Sequence, residues 1–206
     1  MRNLLVFLKY PAAGRVKTRL AESIGPDHAA ELYRQWIEIV FSRIQPLRAS
    51  TRVVAFYDGA PGDAFGQWRS SADDWWPQPD GDLGVRLDAA FKNWQSDDDP
   101  AVAIGTDCLD LEAAHIESAF GVLQNRDAVF GPAEDGGYYL VGLARYLPGF
   151  FRGIPWSTSK TLAAHRSLCQ RKGWSFGLLP SLGDIDTLDD WQQYERRRKG
   201  QNRFQN

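Results

Sequence analysis

The chain has 206 residues, 43% hydrophobic and 13% aromatic, enough to bury a sizeable core and to argue against global disorder. A formal net charge of −2 argues against nucleic acid or an anionic membrane surface as the main partner, though not against a small anionic ligand met by a local cluster of cations. The two cysteines, Cys108 and Cys169, suit a reducing compartment, and the first apolar run is too short for a signal peptide or a membrane span, so the chain reads as cytoplasmic.

Residues 4–8 form a continuous apolar run closed by Lys9-Tyr-Pro11, the pattern of a strand buried on both faces. From Asp27, apolar residues recur at three- and four-residue spacing through Ile44. Gly25-Pro26 stands before them and Pro46 after, which predicts a helix. Residues 51–57 are a second β-branched run, and 58–82 read as irregular, with at most one helical turn. An amphipathic helix is expected over 82–94, ended by Gln-Ser-Asp-Asp-Asp-Pro100. A short strand at 101–105, a helix at 111–124, a strand at 127–130 and an apolar run at 138–143 follow. Ser157 or Thr158 is placed to cap a helix to about Lys172, where Gly173 supplies a left-handed stop. Residues 174–179 read as a strand, and Thr187 caps a last helix through Trp191 and Tyr194. Alternating strands and helices imply an α/β three-layer α/β/α sandwich with a mainly parallel sheet. The expected organisation is one domain over residues 1–195 and a basic, polar tail over 196–206.

Six motifs lie at predicted strand ends, the first four of them mixing glycine with charge. The first, Lys9-x-Pro-x-x-Gly-x-Val-Lys-Thr-Arg-Leu20, follows the first strand, where α/β proteins bind phosphates. Gly14 permits close backbone approach, and Lys17 and Arg19 add charge, Arg with a bidentate grip. The spacing is neither a Walker A loop nor a dinucleotide fingerprint. Gly81-Asp-Leu-Gly-x-Arg-Leu87 is the second. In the third, Gly105-Thr-Asp-Cys108, Asp107 is a candidate ligand for a hard divalent cation, or else a turn or helix cap. The fourth is Gly131-Pro-Ala-Glu-Asp-Gly-Gly-Tyr-Tyr-Leu140. Its glycines form a hairpin turn or clear room for a sugar or acceptor, with Asp135 able to orient a hydroxyl or act as a base. Pro155-Trp-Ser-Thr158 offers Trp156 as a pocket wall. In Asp184-Ile-Asp-Thr187 the period of two puts both carboxylates on one face, for metal binding or for capping. His28, His115 and His165 have no close Cys or His partners, which argues against zinc, and Cys108 reads as a structural thiol.

The ordered set, spanning about residues 4–192, resembles a bacterial family of nucleotide-diphospho-sugar transferases with the GT-A glycosyltransferase fold, long catalogued as a domain of unknown function. That family is similar to 2-phospho-L-lactate guanylyltransferases and, more distantly, to molybdenum-cofactor guanylyltransferases. The resemblance implies that Lys9, Pro11, Gly14, Lys17, Thr18 and Arg19 receive a nucleotide and its phosphates, with Gly81, Arg86 and Thr106 on the same side. It places Asp107 and Asp186 on a magnesium or manganese ion, and Asp135, Gly136, Gly137, Tyr138 and Trp156 on the sugar or acceptor side. Two departures stand out. Leu109 occupies a position where the family often has proline, and the first loop lacks the Gly-x-Gly-Thr-Arg form of sugar nucleotidyltransferases.

The function expected is a metal-dependent transferase using a nucleotide-activated donor and a small-molecule acceptor. Glycosyl transfer leads, with Asp135, Lys17 and Arg19 in catalysis. Guanylyltransferase-like nucleotidyl transfer is the alternative, and a non-catalytic nucleotide-binding module the third reading. The sequence does not set the oligomeric state.

Overall fold

A computed structural model describes residues 1–94 and 99–202. Residues 95–98 of the break expected over 95–100, and the last four residues of the expected tail, lie outside them. Seven strands form one sheet: β1 (Arg2–Lys9), β2 (Thr51–Asp58), β3 (Asp74–Pro77), β4 (Ala101–Ile104), β5 (Ala128–Pro132), β6 (Tyr138–Leu143) and β7 (Phe176–Leu178). Their order is β3-β2-β1-β4-β6-β5-β7. Four neighbouring pairs are parallel and two, both involving β6, are antiparallel, so the sheet is mainly parallel.

Among the described residues, six α-helices cover it: α1 (Thr18–Ile24), α2 (Pro26–Ile44), α3 (Leu83–Trp94), α4 (Ala113–Leu123), α5 (Thr161–Lys172) and α6 (Leu188–Asn202). Strand alternation sorts them into two layers. Leu4, Val6 and Leu8 of β1 pack with Leu20, Trp36, Ile37, Phe120 and Tyr194, which come from α1, α2, α4 and α6. Leu5, on the opposite face, packs with Leu87 and Phe91 of α3 and Cys169 of α5. Both faces are therefore apolar, as the unbroken run at 4–8 requires.

Four local departures from the sequence reading have physical causes. Helix α1 has no counterpart in the sequence reading because its seven residues are too few to repeat the apolar face of Leu20, Ala21 and Ile24. Residues 62–71 form a 3-10 segment that buries Phe65 and Trp68, and β3 follows it at the sheet edge with no fully buried residue. Helix α5 starts at Thr161 after an uncapped Lys160. Thr158 instead turns the chain ahead of it, its hydroxyl donating to Pro155 O and accepting from Lys160 N–H, and Ser157 sits at φ +57°. The strand expected over 174–179 pairs only through Phe176–Leu178. At the other end of α5, Gly173 adopts φ +71° as a left-handed stop. The arginine-rich run begins inside α6, where Arg197 pairs with Asp110 at 2.7 Å.

Candidate active site

A cleft of about 630 Å³ opens at the carboxyl ends of β1 and β4. Here the winding reverses, since β1 continues to β2 on one side while β4 neighbours β6 on the other. Ligands of open α/β sheets settle at such switch points, and the volume falls in the small-molecule range of about 300–1,000 Å³.

Lys17 sits at the centre of its charge. It immediately precedes α1 in a left-handed conformation, φ +47°, which costs a non-glycine residue about 1–2 kcal/mol. That backbone sends the side chain inward, where only 5% of it is exposed. Its ammonium lies 2.9 Å from Asp107 Oδ1. It donates to Asp186 Oδ1 at 3.1 Å and to Ile185 O at 2.8 Å, and lies 5.3 Å from the centre of the Trp36 ring. Burial alone would lower the Lys17 pKa, but Asp107 and then Asp186 outweigh it and hold the group charged above its ordinary value. Arg19 adds a looser contact, 3.7 Å from Asp186 Oδ2, with 74% of its side chain exposed.

The third and sixth motifs meet through their backbones, Ile185 N–H donating to Asp107 O at 3.1 Å. Ile185 is buried in the core, so Asp184 and Asp186 both face the cleft, as strand alternation predicts. Asp184 is the residue that the sequence reading left out of its site. Its Oδ1 is buried without a hydrogen-bond partner, and burial, followed by the charge of Asp107, pushes its pKa up to about 7. The signal was present in the alternation; what sequence could not supply was the burial.

Tyr33 of α2 ties the two strand ends together. Its hydroxyl accepts from Lys9 N–H at 3.1 Å and pairs with Thr106 Oγ1 at 2.7 Å, which fixes the chain one residue before Asp107. Burial and the nearby Asp107 raise the Tyr33 pKa to about 12, so it remains a neutral phenol. No sequence motif includes Tyr33; it reads only as one apolar position of a helix.

On the α3 side, Arg86 donates to Asp58 Oδ2 at 2.6 Å, to Gln78 Oε1 at 2.9 Å and to Gly81 O at 3.0 Å. Gln78 in turn donates to Leu8 O and Phe56 O, so this wall is braced onto β1 and β2. The hydrogen bond from Arg86 holds Asp58 below the usual carboxylate range.

The fourth motif is the turn of the β5–β6 hairpin. Asp135 Oδ1 accepts from Gly137 N–H at 2.8 Å, closing the turn on itself. Gly136 takes φ +89°, and a Cβ there would lie 2.3 Å from Ser159 O, so only glycine lets this turn seat against the 155–160 segment. Trp156 packs against Tyr138 and His165 and stands over Gly84, buttressing the wall from behind.

The cleft thus gathers Lys9, Lys17, Thr18, Arg19, Gly81, Arg86, Thr106, Asp107, Tyr138 and Asp186 of the sequence-derived set. Pro11, Gly14, Asp135, Gly136, Gly137 and Trp156 do not line it. Asp135 is nonetheless near enough for its charge to be felt at Asp184. The histidines have structural surroundings. His115 belongs to the α4 capping box, and buried His165 faces Phe150 O at 2.9 Å, with burial lowering its pKa to about 4. Burial raises the Cys108 thiol pKa, which keeps it protonated and a poor nucleophile.

Asp107 and Asp186 flank one cation position, and Asp184 Oδ1 is a buried atom without a hydrogen bond. Hard oxygen donors of this kind suit magnesium or manganese, which need only one or two protein carboxylates besides substrate oxygens and water. Among the described residues, no three His, Cys, Asp or Glu side chains form a ready-made metal cage. Nor is any helix long and apolar enough to cross a membrane.

No curated protein matches the chain. Among solved structures it is similar to a provisionally assigned nucleotide-diphospho-sugar transferase from Desulfovibrio desulfuricans G20. The two share 30% identity and a TM-score of 0.80, over 90% of this chain and 82% of that one. The fold, at 11% identity, is also that of a CMP:2-keto-3-deoxy-manno-octonic acid synthetase complexed with CTP, with a TM-score of 0.62 over 97% and 99% of the two chains. Glucosyl-3-phosphoglycerate synthase from Mycobacterium tuberculosis shares it too, at 11% identity and a TM-score of 0.57 over 89% and 70%. A family model matches residues 40–158, more than half of the sequence, and the chain belongs to that family, described as uncharacterized protein conserved in bacteria (DUF2064).

Proposed function

We propose that the protein is a metal-dependent transferase that binds a nucleotide-activated donor in this cleft, and that the group it transfers is a sugar. The observation that carries the reading is the convergence of Lys17, Asp107 and Asp186 at the switch point of the sheet. In this reading Asp107 and Asp186 would hold a magnesium or manganese ion, whose chemistry there would be to neutralise charge on a diphosphate leaving group. Lys9, Arg15, Lys17 and Arg19, all on the β1 side, grip the phosphates. Among the described residues, no carboxylate lies within 4.0 Å of the Lys9 or Arg15 cation, so a phosphate would compete with no ion pair there. The solved glucosyl-3-phosphoglycerate synthase contains Mn2+ and uridine diphosphate, a ligand set of the same chemical kind.

What favours glycosyl over nucleotidyl transfer in this reading is the part of the lining away from these cations. Tyr138, Tyr139, Leu140, Val141 and Ser157 form it without a cation. A phosphorylated acceptor, as nucleotidyl transfer to a sugar phosphate demands, would meet no counter-charge there, whereas a sugar and an acceptor hydroxyl need none. Asp135 stands outside the lining with Oδ1 committed to its own turn, and in this reading its Oδ2 turns to orient that hydroxyl and take its proton. The anomeric carbon–oxygen bond to the diphosphate breaks as the bond to the acceptor oxygen forms. Incubation with sugar nucleotides or nucleoside triphosphates, with Mg2+ or Mn2+, tests the reading. Release of a nucleoside diphosphate from a sugar nucleotide supports it, and release of pyrophosphate from a triphosphate would replace it with nucleotidyl transfer.

A further inference from the structure

We propose that Lys17 is the resident counter-cation of the Asp107–Asp186 pair, and that it must be drawn onto the donor phosphates before a metal ion enters, so that metal and donor load together. This rests on the metal-dependent reading of the cleft. The Lys17 ammonium has both carboxylates and Ile185 O within 3.1 Å, partners enough for its three N–H bonds. The two carboxylate oxygens flank one nitrogen, so a metal ion bound by both would occupy the ammonium's own place.

Metal alone must evict a buried cation that has nowhere equivalent to go. A stranded ammonium in low dielectric is costly, and a divalent ion beside it adds repulsion. A diphosphate changes both terms, offering the ammonium new oxygens on the cleft side while its own charge favours the metal. The flexible four-carbon stem of lysine permits the transfer, and the left-handed backbone at Lys17 marks a conformation that the surrounding contacts enforce. Arg19, mostly exposed and 3.7 Å from Asp186, stays as a second cation when Lys17 moves. By linkage, metal and diphosphate then tighten each other's binding by a common factor, within the usual 5- to 150-fold of coupled sites.

The test measures Mn2+ held on the protein by water proton relaxation enhancement, with inorganic pyrophosphate as the diphosphate probe. Wild type should bind Mn2+ weakly alone and tightly with pyrophosphate. Lys17→Met, and independently Lys17→Gln, should bind Mn2+ alone at least about tenfold more tightly than wild type. Adding Asp107→Asn to either variant should abolish that gain, and Lys17→Arg, which keeps the charge, should behave like wild type. Pyrophosphate-dependent Mn2+ binding in wild type, with no gain in either neutral variant, would overturn the role of Lys17 and leave the site reading standing. Absence of Mn2+ binding in every variant, with and without pyrophosphate, would overturn both.

Discussion

Replacing Gly84 by alanine tests how α3 is seated against the segment that carries Trp156, and with it the wall that presents Arg86. A Cβ at Gly84 would lie 2.4 Å from Trp156 Nε1 and 2.8 Å from Phe151 O. Both are closer than carbon tolerates, and the second is backbone, which cannot rotate aside. Overpacking of this kind costs about 1–3 kcal/mol. Alanine's better helix propensity returns up to about 1 kcal/mol, so a net loss of about 1–2 kcal/mol is expected. In a chain of 206 residues each kcal/mol moves Tm by about 2–4 °C, which puts the drop at about 2–8 °C. Gly121 is the control, a helical glycine of α4 with nothing within 4 Å of its missing Cβ. Gly121→Ala should gain about 0.4–1 kcal/mol. Calorimetry of the two variants should therefore give shifts of opposite sign for the same chemical change. A Gly84→Ala protein as stable as wild type would refute the packing on which the cleft wall depends.

Three further outcomes follow from the site. Tyr33→Phe removes the hydroxyl shared by Thr106 and Lys9 N–H, and urea denaturation should show a loss of about 1–3 kcal/mol; a change under about 0.5 kcal/mol would contradict the bracing role. Asp184 binds its proton more tightly folded, at about 7, than at its ordinary 3.8, so its contribution to stability is highest below pH 4 and is lost as pH rises through 7. In metal-free protein, Asp184→Asn should therefore raise Tm at pH 8 by several degrees and leave it nearly unchanged at pH 4, and an equal shift at both would contradict that burial. Asp107→Asn should cut metal-dependent turnover by more than about 100-fold, beyond the 10- to 100-fold typical of groups that only support a ligand; near-wild-type turnover would remove Asp107 from the metal site.

Much of this was legible in the chain because two periodicities carried it. The continuous run at 4–8 announced a doubly covered strand, and the alternation of Asp184, Ile185 and Asp186 placed both carboxylates on one face with the isoleucine in the core. Short elements, the seven-residue α1 and the four-residue β3, are too brief to show either period. The site was legible where chemistry and chain position coincide, at Lys17, Asp107 and Asp186, all beside strand ends. It was illegible where a role depends on three-dimensional packing. Tyr33 reads as a core aromatic until its hydroxyl is seen joining two strands, and Asp184 reads as the lesser of two aspartates until its buried oxygen is seen. Trp156 errs the other way, since its motif suggests a pocket wall while its ring buttresses that wall from behind.

The central claim, that the cleft takes a nucleotide-activated donor together with a divalent metal ion, is tested most directly by thermal unfolding against a panel. Sugar nucleotides, nucleoside diphosphates and triphosphates are each added with and without Mg2+ or Mn2+. A ligand at 100 times its Kd stabilises by about 2.7 kcal/mol, which in a chain of this length raises Tm by about 5–10 °C. The account predicts such a rise for at least one sugar nucleotide, present with metal and largely absent without it. A panel in which no nucleotide shifts Tm with either metal would contradict it.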